Sequence, residues 1–385
     1  MDFELNEELT MLRETAREFA ASELKTKARE MDKREEFDRS VFTAMAGLGL
    51  TALTIPEQYG GAGFYEGKMA NQAASIALEE VNRWCASTGV TLSVHMSLFS
   101  SLLTKWGNDE QKARVLPKMA SGEWLGAYCL SEAGSGTDAG SLACEAKKDG
   151  DEYVLNGSKL WITSAPYADV FIVLARTSHE HKTRGITAFL VEADRKGVVI
   201  GKKESKMGIR GSATSEVLFE DCRIPAANRI GDEGKGFTIA LDTLDGGRVG
   251  IAAQAVGLGR ASLEDATEYA KTREQFGKPI ASFQAVQWML ADMAMKLDAA
   301  RLLIQRAAWL RDNGKPCTSE SAMAKLFASE TANKCAKDAV QIFGGNGYSK
   351  EYDVERYFRD AKITEIYEGT SQVQRIVIAR DLLGD

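Results

Sequence analysis

Three stretches in the last part of the chain, residues 249–272, 283–311 and 319–343, keep a helical repeat of apolar positions, each for more than twenty residues. Helices that long, joined by short connections, bury their apolar stripes against one another, which predicts an antiparallel bundle. Gly344-Gly345 can end the last of them, and residues 371–383 close the bundle with Val373, Ile376, Val377 and Leu383 on one stripe.

The texture upstream is different. Asn6 can cap a helix whose first turn holds Glu7 and Glu8, and Leu9, Leu12, Ala16, Phe19, Ala20 and Leu24 follow the helical period. Further helical patterns cover residues 40–48, 69–101 and 109–120, interrupted by the glycine-rich turn at 60–63. From Gly126 the pattern shortens to β-rich runs at 153–155, 170–175, 186–191, 198–200 and 216–219, with Asp149-Gly150 and Asn156-Gly157 as hairpin signals. The expected fold is α+β multidomain: an N-terminal helical domain over 1–125, a middle antiparallel β domain over 126–230, and a C-terminal helical-bundle domain over 231–385.

Composition narrows the function. The 385 residues are 44% apolar, enough for two or three cores, and carry 48 Lys+Arg against 55 Asp+Glu, a net charge of −7. That charge offers no general attraction to nucleic acid or to an anionic membrane. No apolar run reaches the length of a membrane span, and the acidic, amphipathic N-terminus lacks a signal-peptide pattern, so a cytoplasmic protein is expected. Six scattered cysteines without Cys-x-x-Cys spacing read as reduced thiols. His179 and His181 form a His-x-His pair with no further ligand cluster nearby, and no metal site is expected.

Neither nucleotide-binding fingerprint is present, nor a nucleophile elbow, a zinc-protease His pair or a kinase signature. The chemistry-bearing residues lie elsewhere. Glu368, within Tyr367-Glu368-Gly369-Thr370, sits on an expected turn between two helical stretches, and the glycine beside it allows a substrate close to the backbone. Hydroxyls and small residues cluster over 128–138, suiting a flat, polar-edged cofactor between domains. Trp161 and Thr163, two apart on a strand, point the same way, an indole and a donor fit for a ring system. Arg273, Phe276 and Gln284 could hold a pyrophosphate and a ring, and Gln341 precedes a glycine run, Gly344, Gly345 and Gly347, that permits close backbone approach or simply stops a helix.

Taken together, residues 128–138, Trp161 to Thr163, Asp245 to Arg248, 272–277, 341–347 and Tyr367 to Thr370 resemble, in order and spacing, the flavin-dependent acyl-CoA dehydrogenases, with the short-chain, butyryl-CoA type nearest. The resemblance implies a C-terminal four-helix domain and a homotetramer with FAD at the domain and subunit junctions. It places Tyr128, Leu130, Ser131, Trp161 and Thr163 along the isoalloxazine and Thr370 and Gln372 near the base, with Arg273, Phe276, Gln284, Gln341, Gly344 and Gly345 on the remaining FAD, some on a neighbouring subunit's cofactor. Thr137, Asp245 and Arg248 match positions that hold CoA, and Tyr367 and Gly369 flank the acyl chain.

The implied reaction is α,β-dehydrogenation of a short-chain acyl-CoA: Glu368 takes the α-proton, a β-hydride goes to flavin N5, and electrons leave to an electron-transfer flavoprotein. The thioester carbonyl would rest on the backbone N–H of the base and a ribityl hydroxyl. Some relatives carry the base just before the arginine matching Arg248; here that position is Gly247, leaving the role to Glu368. A helix starting near Thr370 favours the anion and an acyl chain expelling water disfavours it, with desolvation expected to win. Leu92, in the helix carrying Thr91 and His95, is expected at the end of the acyl pocket or in the core, and Gly89 stands where glutaryl-type relatives have an arginine. The same resemblance leaves open crotonyl-CoA reduction, an oxygen-using enzyme and a DNA-binding branch, the last opposed by the negative charge.

Overall fold

A computed structural model describes residues 4–384. The N-terminal part contains α1 (Glu7–Phe19), α2 (Lys25–Arg34), α3 (Arg39–Gly47), α4 (Ala70–Trp84), α5 (Ala86–Ser93), α6 (Ser101–Trp106) and α7 (Asp109–Ala120). Asn6 caps α1 as the sequence predicts, accepting from Leu9 N at 2.9 Å. The expected single helix over 69–101 is broken: Cys85 is extended, and its sulfur accepts from Thr88 N and starts a new helix. Beyond it, π-helical residues Val94–Ser100 widen the coil between α5 and α6. The charged α2 has only Ala28 and Met31 buried, too few apolar positions for its period to stand out.

The middle part is an eight-stranded sheet of β1 (Gly126–Cys129), β2 (Glu145–Asp149), β3 (Glu152–Thr163), β4 (Val170–Arg176), β5 (Ile186–Glu192), β6 (Val198–Lys203), β7 (Thr214–Pro225) and β8 (Arg229–Ile230). The order is β6-β7-β3-β2-β4-β5-β8, with β1 also paired to β4. The expected antiparallel sheet is corrected to a mixed one: β1 and β2 both run parallel to β4, pairings between strands not joined by a hairpin. β4 is buried on both faces. Val170, Ile172 and Leu174 join the core shared with the helical bundle, and Phe171, Val173 and Ala175 pack in the core on the sheet's other side.

The C-terminal part holds α8 (Gly236–Thr272), a hairpin of β9 (Glu274–Gln275) and β10 (Lys278–Pro279), then α9 (Gln284–Asp312), α10 (Thr318–Phe343), α11 (Val354–Ala361) and α12 (Ser371–Leu383). α8 begins at Gly236, well before the expected residue 249, its early period hidden by Gly246 and Gly247; there and at Gly250 neighbouring side chains lie close against its backbone. At Gly259 and Gly257 the same closeness serves packing, against Leu297 of α9 and the α4 backbone.

Candidate active site

Glu368 lies on the turn between the 3₁₀ segment Lys362–Glu365 and α12. Glu368 (φ 52°) and Gly369 (φ 91°) are both left-handed, a conformation costing a non-glycine residue about 1 kcal/mol or more. Side chains from within the bundle hold the turn: Gln374 Nε2 donates to the carbonyls of Glu368 (3.1 Å) and Gly369 (2.9 Å), and Lys325 Nζ donates to Gly369 O at 2.7 Å. Thr370 then caps α12, its hydroxyl accepting from Val373 N.

The carboxyl group points at α8. A Cβ built on Gly247 would collide with Glu368 Oε2 and stand 2.8 Å from both Glu368 Cδ and Leu98 Cδ2. Oε2 is closed off from solvent without a hydrogen-bond partner. Burial pushes the Glu368 carboxyl up to about 7, against the opposing charges of Lys325 and Arg248. Desolvation thus outweighs the stabilisation of the anion, and two side-chain cations oppose it alongside the helix start that the sequence suggested.

Lys325 is the residue the sequence reading missed. It is 0% exposed on α10, and burial lowers its ammonium to about 8 while the Glu368 charge holds it up. The signal was available: Ser321, Lys325, Ser329 and Ala332 share one helical stripe otherwise made of small residues, the stripe that is buried.

Arg248 Nη1 pairs with Asp245 Oδ1 at 2.7 Å, and Thr318 Oγ1 donates to Asp245 Oδ2 at 2.5 Å, so α8 and α10 together present this pair. Arg248 Nε is buried and unpartnered. Tyr367 Oη donates to Gln254 Oε1, and Gln254 Nε2 donates to Ala86 O at 3.1 Å, a polar bridge from the turn across α8 to α5. Leu92 is in the N-terminal core with Met96, while Val90, Val94 and Leu98 belong to the core reaching Glu368. Of the two readings open for Leu92, the structure shows core packing. His95 is likewise turned inward, with Nε2 against Met119 O at 3.2 Å and its ring edge-on to Phe42.

Tyr128 ends the sheet side of the site. Its hydroxyl is buried and unpartnered, and burial and the Glu368 charge keep the phenol protonated. The following loop is pinned from beneath by Lys159 Nζ, 2.6 Å from Glu132 Oε1 and 3.2 Å from Leu130 O, while Glu132 also accepts from Ala143 N and Cys144 N. Ser131 O accepts from Leu160 N at 2.9 Å, bringing Leu130 and Ser131 beside Trp161 and Thr163. Thr137 is exposed on the same loop. The expected common direction of Trp161 and Thr163 assumed regular alternation, but a bulge between Lys159 and Ile162 interrupts it; Trp161 has φ 61° and is 62% exposed.

The other predicted cofactor residues are elsewhere. Arg273 follows α8, and Phe276 and Gly277, both with positive φ, form the two-residue turn of the β9–β10 hairpin, with Phe276 94% exposed. Gln341, Gly344 and Gly345 end α10 at the same pole, where Phe343 stacks on Tyr269 at 4.0 Å. Gln284 opens α9, and Gln372 is exposed on the first turn of α12. At about 1.5 Å per residue, some 40 Å of α8 separates Gly247 from Arg273.

A helical domain, a mixed β sheet and a helical bundle meet at a buried, unpartnered carboxyl beside a phenol, the architecture of a multidomain α+β enzyme. Models of the acyl-CoA dehydrogenase N-terminal, middle and C-terminal domains match residues 6–123, 127–222 and 234–383. The chain belongs to the acyl-CoA dehydrogenase family and is an oxidoreductase. It is 50% identical over 380 residues to the rat mitochondrial short-chain specific acyl-CoA dehydrogenase, covering 99% of this chain and 91% of that one. It superposes on butyryl-CoA dehydrogenase from Megasphaera elsdenii with a TM-score of 0.97 at 44% identity, covering 100% of both chains. A chain from a structural study of the electron transferring flavoprotein of Acidaminococcus fermentans gives a TM-score of 0.97 at 46% identity, again over 100% of both.

Proposed function

We propose that the chain dehydrogenates a short-chain acyl-CoA of the butyryl type, with Glu368 removing the α-proton. The observation that carries this is Oε2 of Glu368, buried, without a partner, and facing a glycine at which any side chain would collide with it. A carboxyl raised to about 7 is a base matched to neutral pH. The N–H of Glu368 donates to no acceptor among the described residues and is free for the thioester carbonyl, where it would stabilise developing enolate charge. Tyr367 and Gly369 flank the acyl chain, and Asp245, Arg248 and Thr137 hold the CoA portion. Gln254 lies two turns of α8 beyond Gly247, about 10 Å, and its bridge to Tyr367 and Ala86 would bound the acyl chain on that side and favour a short one.

FAD is the proposed cofactor. The residues fit it: an unpartnered buried Tyr128 hydroxyl, an exposed indole on a bulged strand, and the loop of Leu130 and Ser131 beside Thr163 line one side of the junction, with Thr370 and Gln372 at its rim. When bound, FAD accepts the hydride from the β-carbon. Arg273 and Phe276 past the end of α8, Gln284 at the start of α9, and Gln341, Gly344 and Gly345 at the end of α10 lie far from Glu368, which supports the use of some of them on a neighbouring subunit's cofactor. Trp288, Met295, Leu302 and Trp309, seven residues apart on α9 and all exposed, make an apolar stripe suited to joining subunits, in keeping with a homotetramer.

Electrons would pass to an electron-transfer flavoprotein, in keeping with the Acidaminococcus match. Six buried, unpaired cysteines suit a reducing compartment, the cytoplasm. The domain limits 1–125, 126–230 and 231–385 are part of this reading, and so is a role in fatty-acid metabolism. Anaerobic addition of butyryl-CoA should bleach the flavin, and Glu368→Gln should keep the flavin and lose the bleaching. A mutant bleaching at the wild-type rate refutes the assignment.

A further inference from the structure

Lys325 carries an ammonium to the centre of the bundle, where an unpaired charge costs several kcal/mol. Its single hydrogen bond goes to the Gly369 carbonyl, and among the described residues no carboxylate forms an ion pair with it. The charged groups around it are few. Arg248 is committed to Asp245, and Glu365, on the 3₁₀ segment, is committed to Lys362 at 2.5 Å. Glu368 is the remaining acid, and its own surroundings hold Lys325 from α10, Arg248 from α8, Tyr128 from β1 and Tyr367 from the turn itself.

Two things follow from that placement. The Gly369 carbonyl, second in a pair of left-handed residues, is gripped from inside by Lys325 and Gln374, so the direction in which Glu368 leaves the turn is set by α10 and α12. Held on the carbonyl of the residue next to the base, the ammonium also brings its positive charge to the carboxyl and favours the ionised form while burial opposes it. An uncharged amide could grip the carbonyl equally well, as Gln374 does. What the ammonium adds is charge.

We propose that Lys325 is a positioning residue for the reaction: it pins the turn that carries Glu368 and supplies the buried cation against which that carboxylate works as a base. The proposal rests on the reading of Glu368 as the base. Its test uses flavin-loaded enzyme, with kcat/KM for butyryl-CoA and the rate of flavin bleaching followed across pH. Lys325→Gln keeps a donor for the Gly369 carbonyl and removes the charge. Its acid limb should move up by about one pH unit, so that activity on that limb falls about ten-fold and recovers in alkali. Lys325→Arg, keeping a cation, should restore the limb most of the way. Gln374→Leu, removing the other pin with no change of charge, should lower the rate at every pH and leave the limb in place.

A limb at the wild-type pH in Lys325→Gln overturns the proposal, as does an arginine variant whose limb moves as far as the glutamine's. If the glutamine variant loses its flavin, Lys325→Met is read in the same way. The two levels stay separable: bleaching by Glu368→Gln removes the underlying assignment, whereas a dead Glu368→Gln with an unmoved Lys325→Gln limb removes only the role of Lys325.

Discussion

Gly247→Ala is the smallest change that should disable the site while sparing the fold. The new methyl would stand 2.8 Å from Glu368 Cδ and from Leu98 Cδ2, where carbon atoms settle at about 3.5–4.0 Å, so the carboxyl must retreat by roughly 1 Å. A reacting group displaced that far loses about 10²-fold in rate. Stability has compensating terms: alanine gains up to about 1 kcal/mol over glycine in a helix interior, and overpacking costs about 1–3 kcal/mol. The melting temperature should therefore stay level or fall by a few degrees. Stopped-flow bleaching by butyryl-CoA under anaerobic conditions gives the rate, and the flavin spectrum confirms that cofactor is held. A flavin-replete Gly247→Ala enzyme bleaching at the wild-type rate would show that Glu368 does not work from the position where it faces α8.

Three other outcomes are expected. The kcat/KM profile should rise with pH to a limb near 7, because the Glu368 carboxyl accepts a proton only when ionised and burial raises it to about 7; a profile already flat below pH 6 contradicts the assignment. Gln254→Ala removes the bridge between Tyr367 and Ala86 and should move the acyl-length optimum upward, measured as kcat/KM across a homologous series, with an unchanged optimum counting against Gln254 as the floor of the pocket. Trp288→Glu, on the exposed stripe of α9, should dissociate the assembly in sedimentation velocity and weaken flavin retention, and an intact tetramer would exclude the stripe as the interface.

Much of this molecule can be read from its residues because periodicity and punctuation agree: Asn6 caps α1, Gly344 ends α10, and Thr370 caps α12 where the pattern says they should. Misreadings occur where tertiary contact overrides the local rule. Cys85 breaks a continuous helical pattern with a sulfur cap, and the Lys159–Ile162 bulge spoils a two-residue alternation. β1 pairs in parallel with a strand more than forty residues away, which no local signal encodes. Glu368 and Gly247 could be paired by a family resemblance before any geometry was known. Lys325 carries only the fainter signal of its small-residue stripe, because a lysine there looks like a solvated one until the stripe is found facing inward.

The length of α8 has a genetic corollary. If Arg273 past one end serves a neighbour's flavin while Gly247, some 40 Å back along the helix, receives the chain's own Glu368, each reaction centre is assembled from two copies of the chain. A chain lacking Glu368 and a chain lacking Arg273, each inactive alone, would then complement when co-expressed, since a centre between them draws its base from one parent and its flavin clamp from the other. Conversely, one defective allele would impair centres belonging to its healthy partner, and the dose of a mutation would follow the pairing of subunits and not the count of mutant chains.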